Sequence, residues 1–260
     1  MKRCLVVFIS ILLTIFATLT SNAQTQQKKA AIIIDDFGGG IGGVKEFLEG
    51  DVPITVAVMP FTETSKEHAE WAHKNGFEVM VHLPMQPKKG KMSWLGPKPI
   101  TADLPLEEVR KRVTEAIDSV PYALGLNNHM GSLVVEKEDI VRVIVEVAKE
   151  KRLYIVDSAT SSKSKFPKVA KELGVPIIKR DVFLDDVASI PHVKKQMSLL
   201  AKITEQEGTG VAIGHVGVTG KVCSTGIFES AKELEKRKIT IVPVSDILSN
   251  EIKIKYLQLY

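Results

Sequence analysis

An alternation that starts at Ala30 and runs to the end of the chain constrains the fold most. Short apolar runs without two-residue periodicity read as strands at 30–35, 54–59, 77–82, 123–128, 153–157, 176–179, 211–215 and 240–244. A strand that is apolar at every position is covered on both faces, as in a parallel sheet flanked by helices. Between these runs, apolar residues recur at helical spacing. Leu106, Val109, Val113, Ala116, Ile117 and Val120 form one stripe, and Ile140, Ile144, Val147 and Ala148 a second. Val193, Met197, Leu200 and Ile203 form a third, and Ile227, Ala231 and Leu234 a fourth. Thr64 and Glu67 have capping-box spacing ahead of a further helix, and shorter helices are expected near 41–49 and 165–173. Strands alternating with helices give a parallel α/β fold. The length suits a closed or slightly broken (β/α) barrel of seven to eight strands, with a doubly wound open sheet as the alternative.

The first residues follow another pattern. Met1-Lys2-Arg3 is basic, residues 4–19 are uncharged and mostly apolar, and Ser21-Asn22-Ala23 offers small residues at a cleavage site. That is the pattern of a secretory signal peptide over 1–23, followed by a flexible polar lead-in at 24–29 and a folded domain at 30–260. The product is expected outside the cytoplasm: extracellular, periplasmic or associated with the cell envelope. Membrane contact is expected only through a leader left uncleaved. The 35 basic and 31 acidic residues nearly balance, whereas a nucleic-acid binder shows a strong basic excess. Cys4 leaves with the leader, so Cys223 stands alone and no internal disulfide is expected.

Polar residues gather where the strands end. Asp35-Asp36 closes the first strand, His82 the third, Asn127-Asn128-His129 the fourth, Asp157-Ser158 the fifth, Arg180-Asp181 the sixth and His215 the seventh. In a parallel α/β fold the carboxyl ends of the strands share one face, and ligands bind there. Three histidines and a carboxylate pair delivered to one rim by different strands point to an active or metal site. Imidazoles with a carboxylate and an open position make the donor set of a catalytic divalent cation, most often zinc. One of the adjacent carboxylates can hold the metal while the other acts as base.

Gly38-x-Gly40-x-x-Gly43 matches a dinucleotide fingerprint. Asp35 and Asp36 would repel a pyrophosphate there, and the second strand ends Met59-Pro60 without an acid for a ribose. No nucleotide is expected, and the glycines read as a tight turn. The connection at 83–101 is far longer than the usual loop of about 2–6 residues, and its Met92, Trp94 and Leu95 mark it as a segment that packs or binds.

These motifs, in this order, resemble the divergent polysaccharide deacetylase family of exported bacterial proteins. The resemblance runs from about Ala30 to Ile247. It rests on Ile34-Asp35-Asp36-Phe37-Gly38, His82-Leu83-Pro84-Met85, Asn127-Asn128-His129-Met130-Gly131-Ser132, Asp157-Ser158, Arg180-Asp181-Val182-Phe183-Leu184-Asp185 and Ile213-Gly214-His215. It implies an irregular (β/α) barrel and a metal-dependent hydrolase that removes N-acetyl groups from an amino-sugar glycan of the cell wall or an exported polysaccharide. By this resemblance Asp36 holds the metal with His82, Asp35 is the base and His215 the general acid. Related deacetylases take both metal histidines from one segment, four residues apart; here that position is Gln86, and the resemblance implies His129 as the further ligand. On this reading zinc is the cofactor and Arg180 orients Asp35. Asn127, Asn128, Ser132 and Asp157 contact the sugar, and Trp94 either stacks on a sugar face or serves as a structural cap over the barrel mouth. Two rivals are a glycan-binding protein without turnover and a glycosidase using two carboxylates such as Asp36 and Asp157. The second leaves the three histidines without roles.

Overall fold

Strand β1 (Lys28–Phe37) is the spine of the computed structural model, which describes residues 27–39 and 42–257. The leader expected at 1–23 therefore lies outside the described residues. After β1 come α1 (Val44–Leu48), β2 (Thr55–Val58), α2 (Ser65–Lys74), β3 (Glu78–Met85), α3 (Leu106–Ser119), β4 (Ala123–Met130) and α4 (Glu138–Glu150). They are followed by β5 (Tyr154–Asp157), α5 (Phe166–Leu173), β6 (Ile177–Lys179), β7 (Val182–Phe183), α6 (Ile190–Glu207), β8 (Thr209–His215), α7 (Gly220–Lys236) and β9 (Ile239–Val242). The strand order is β6-β5-β4-β3-β2-β1-β8-β7, with β9 also on β1, and every pairing is parallel. One edge of β1 carries β8; the other carries β9 along Lys28–Ala31 and then β2 from Ile33 onward.

The sheet curls into a distorted half-barrel, not the doubly wound alternative. Strands β6 and β7 are two parts of one run broken at Arg180-Asp181. Across the break the Arg180 amide donates to the Asp157 carbonyl (3.1 Å) and the Asp181 amide to the Val211 carbonyl (2.8 Å). The run thus crosses from β5 to β8. All the strands expected from the sequence are present, and β7, at two residues, is too short to show a hydrophobic pattern.

Alternation along the strands builds two buried layers. Ala31, Ile33, Met80, Tyr154, Val156, Ile178, Val211 and Ile213 form the core inside the barrel. Ala30, Ile32, Ile34, Val79, Val81, Ile155 and Ala212 pack outward with the helical stripes. Counting on by twos toward the carboxyl ends, Asp35, His82, Arg180 and His215 continue the inner row, whereas Asp157 belongs to the outer one. The four helical stripes bury Val109, Val113, Ile140, Ile144, Val193, Met197, Ile227 and Leu234, while Leu106 at the start of α3 is exposed. At the opposite end of the barrel, buried Glu78 accepts hydrogen bonds from Tyr154 Oη (2.7 Å), Thr55 Oγ1 (3.2 Å) and the Ser245 amide (3.1 Å). Among the described residues no helix is long and apolar enough to cross a membrane.

Three local expectations resolve as follows. The capping box does not form: Thr64 Oγ1 donates to the Gly38 carbonyl at 2.6 Å, and no side chain caps α2. Gly38, in the left-handed region at φ 116°, is the tight turn, and its amide donates to His68 Nδ1 at 2.9 Å. A Cβ there would lie 2.5 Å from Thr62 Oγ1, so only glycine fits. The long connection after β3 returns to it, with the Gln86 amide on the Ile100 carbonyl (2.9 Å) and the Ile100 amide on the Pro84 carbonyl (2.8 Å). Leu95 and Ile100 are buried, while Met92 and Trp94 are exposed.

Candidate active site

The site begins with a fault in β1. Ile34 pairs with Val56 and Phe37 with Val58, so β1 holds one residue more than β2 over this step. Asp36 takes the left-handed conformation, φ 71°. Successive strand residues ordinarily face opposite sides; the bulge turns both carboxylates to one side. Asp35 Oδ1 lies 3.6 Å from His82 Nδ1, and Asp36 Oδ1 lies 3.3 Å from His82 Nε2.

Sheet register brings in the other members. His82 pairs with Asn127 across β3 and β4, and His129 follows Asn127 by two residues, on the same side of β4. Asp35 pairs with His215 across β1 and β8. His82 Nε2, His129 Nδ1 and Asp36 Oδ1 form a triangle with sides of 3.0 Å (His–His), 3.0 Å (His129–Asp36) and 3.3 Å (His82–Asp36). These three residues could hold a metal ion.

The hydrogen bonds around the triangle fix what its atoms can do. Asn127 Nδ2 donates to Asp35 Oδ1 (2.8 Å), so Asn127 Oδ1 faces His82 Nδ1 (2.7 Å) and accepts its proton. His129 Nε2 lies 3.1 Å from the Trp94 carbonyl, which can only accept. With the outer nitrogens engaged in this way, the inner nitrogen of each imidazole is the one left to offer a lone pair to a ligand. Buried Asp36 Oδ1 has no hydrogen-bond partner among the described residues. Three electron pairs converging at this distance require a positive charge among them. An ion ligated at about 2.0–2.1 Å separates neighbouring ligand atoms by roughly 2.9–3.4 Å, so the donor set fits a divalent cation. Asn127 and the Trp94 carbonyl are the outer groups that orient such histidines.

The charges are distributed unequally. Burial opposes ionisation of Asp36, but with no ion between them the His129 and His82 rings, when they donate to it, hold its carboxyl well below the usual carboxylate range. For Asp35 burial prevails and raises the pKa, although His82, His215 and the Asn127 amide pull the other way. Burial would likewise lower the pKa of His215, yet the Asp185 hydrogen bond and the Asp35 charge lift it to about 9. Asp185 Oδ1 lies 2.9 Å from His215 Nδ1, and its Oδ2 accepts from the His215 amide (3.0 Å) and Thr219 Oγ1 (2.7 Å). His215 thus keeps Nε2 for other partners and is protonated at neutral pH. A raised folded-state pKa stabilises the fold fully below the unfolded value of about 6.5, and that contribution is lost as pH rises through about 9. The Asp185→Asn variant removes the charge behind the shift. His215 titration followed by NMR is expected near 9 in the wild type and at least about one unit lower in the variant. Unchanged midpoints would exclude Asp185 as the cause.

Asp35, His82, Asn128, His129, Arg180 and His215 line one cleft of about 180 Å³. The remaining residues singled out from the sequence are placed differently. Both polar atoms of Asn127 are engaged by His82 and Asp35. Asn128 holds the following loop through the Ser158 amide (3.1 Å), the Met130 carbonyl (2.7 Å) and Thr160 Oγ1 (3.3 Å). Ser132 Oγ accepts from the Lys88 amide (2.9 Å), and Asp157 Oδ1 from the Ala159 amide (2.9 Å). The Trp94 ring is exposed while its carbonyl meets His129. Arg180 donates to the Ser158 and Ala159 carbonyls, so the side chain hydrogen-bonded to Asp35 is Asn127, not Arg180. Sequence reasoning assigned no role to Asp185 and gave Asn127 to the sugar. The two-residue spacing of Asn127 and His129 was a usable signal for the latter.

A family model described as divergent polysaccharide deacetylase matches residues 32–248. The chain is 32% identical to the uncharacterized protein YibQ of Escherichia coli K12 over 234 residues, 90% of this chain and 71% of YibQ. The uncharacterized protein ATU2773 of Agrobacterium tumefaciens C58 has a similar structure, with TM-score 0.80 at 19% identity over 88% of this chain and 91% of that one. The Bc1960 peptidoglycan N-acetylglucosamine deacetylase gives TM-score 0.50 at 12% identity over 85% and 88% of the two chains.

Proposed function

Because this chain belongs to the divergent polysaccharide deacetylase family, we propose that it is a zinc-dependent hydrolase that removes N-acetyl groups from an amino-sugar glycan. The observation that carries this reading is the convergence of Asp36, His82 and His129 beside a cleft lined by His82, His129, a second carboxylate, Asp35, and a protonated imidazole, His215. Asp36, His82 and His129 are the residues that would hold the ion. When bound, a divalent cation supplies Lewis-acid polarisation of the acyl carbonyl and lowers the pKa of water. Asp35, oriented by Asn127, takes a proton from the water that attacks the acetyl carbon. His215, held by Asp185, gives its Nε2 proton to the departing amine nitrogen. The C–O bond forms, the C–N bond breaks, and acetate and a free amine result. Asp157, in the outer row and engaged by the Ala159 amide, is poorly placed to act as a glycosidase carboxylate.

The experiment is acetate release from N-acetylated oligosaccharides, with the metal content of the purified protein measured alongside. Stoichiometric zinc and acetate release abolished by chelation are expected. Binding without release on a broad glycan panel would leave a non-catalytic glycan-binding protein, and new reducing ends without acetate would mean a glycosidase.

Export belongs to the same proposal and is supported by the basic start, the apolar run and Ser21-Asn22-Ala23. Protein recovered from outside the cytoplasm is expected to begin at Gln24. Recovery from the cytoplasm with Met1 intact would refute it.

A further inference from the structure

We propose that the Arg180 corner of the cleft is a carboxylate-recognition subsite, so that the glycan bound there carries an acidic group close to its acylated nitrogen. This deepens the glycan-deacetylase reading and rests on it.

Arg180 lines the cleft, half-buried, with its guanidinium 5.1 Å from the Phe183 ring. Its hydrogen bonds are Nε to the Ser158 carbonyl (2.7 Å) and Nη2 to the Ala159 carbonyl (3.4 Å). Both acceptors are neutral. Among the described residues no carboxylate forms a salt bridge with it; Asp35, Asp157, Asp181 and Asp186 act on it only through their fields. A guanidinium taken partly out of water without an anion on its fork is an incomplete arrangement, because its planar N–H pair matches a carboxylate.

A second observation lies beside it. Ser158 also lines the cleft and is only 6% exposed. Its amide is engaged by Asn128 Oδ1 and its carbonyl by Arg180, yet its hydroxyl has no partner among the described residues. An unsatisfied buried hydroxyl is expensive and calls for a ligand atom. Thr160, at the mouth, accepts from Asn128 through Oγ1 and keeps its own hydroxyl proton to donate. The corner therefore presents guanidinium and hydroxyl donors with no carboxylate hydrogen-bonded to them among the described residues. A sugar hydroxyl would satisfy Ser158 but not the charge of Arg180; a carboxylate satisfies both.

The test compares binding of two carboxylated glycans with their carboxyl-reduced forms by calorimetry. N-acetylglucosaminyl-N-acetylmuramic acid carries its carboxylate on the amino sugar, and a hyaluronan tetrasaccharide carries it on the neighbouring residue. At least one carboxylated form is expected to bind the wild type about tenfold or more tightly than its reduced partner, and which one identifies the source of the carboxylate. In Arg180→Met, which keeps an apolar stem against Phe183, the ratio should fall to within about twofold. Ser158→Ala should reduce it by a smaller factor. Equal affinities in the wild type, including no binding of any of the four, would overturn the subsite. A preference that survives in Arg180→Met would overturn its assignment to Arg180. Acetate release is measured on the same glycans. Release without carboxylate preference leaves the deacetylase reading standing and removes the subsite. Preference without release from any glycan does the reverse.

Discussion

Asp36→Asn is expected to lose metal and activity together while the protein stays folded. Asn has nearly the shape of Asp and tolerates the left-handed backbone at φ 71°, so the bulge in β1 has no reason to change. What goes is the negative charge facing His82 Nε2 at 3.3 Å and His129 Nδ1 at 3.0 Å. Two neutral imidazoles remain against a weak amide oxygen. Altering a group that merely supports a ligand lowers metal affinity by about 10–100-fold, and replacing the anionic ligand itself should exceed that. Metal per protein after dialysis, read by atomic emission beside circular dichroism, checks this. A folded Asp36→Asn protein with stoichiometric zinc would rule out Asp36 as a ligand.

Asp35→Asn separates chemistry from metal binding. Asp35 is outside the triangle, and its Oδ1 accepts from Asn127 at 2.8 Å. Asn at 35 can still accept that bond but cannot take a proton from water. Turnover should fall by about 10²–10⁴, the range for a lost general base, with zinc content and glycan affinity little changed. Because burial already opposes the charge of Asp35, the neutral side chain should not weaken the fold. Equal turnover in Asp35→Asn and the wild type would reject Asp35 as base.

The fold was legible because its signals are local. A strand covered on both faces must be apolar at each step, as Ala30–Ile34 is, and a covering helix must repeat its apolar residues at helical spacing, as Ile140, Ile144 and Val147 do. The carboxyl-end rule then placed Asp35, His82, Arg180 and His215 around one cleft without any coordinates. Strand β7 escaped because two residues carry no period, and at Thr64 the hydroxyl is turned to donate to the Gly38 carbonyl and caps no helix amide.

By itself, then, the sequence determined an α/β chain with acids, imidazoles and a guanidinium at the strand ends. Only the tertiary structure decided which atoms meet. That Asp35 and Asp36 both turn towards His82 depends on one extra residue in β1 relative to β2. That His129 reaches His82 depends on the register of β4 against β3. That Asn127 orients two neighbours while Arg180 holds a loop depends on hydrogen bonds between residues distant along the chain. Side-chain periodicity records which face of its own strand a residue occupies. Bulge and register are relations between strands, set when the sheet forms, and one residue of slip is enough to change every partner.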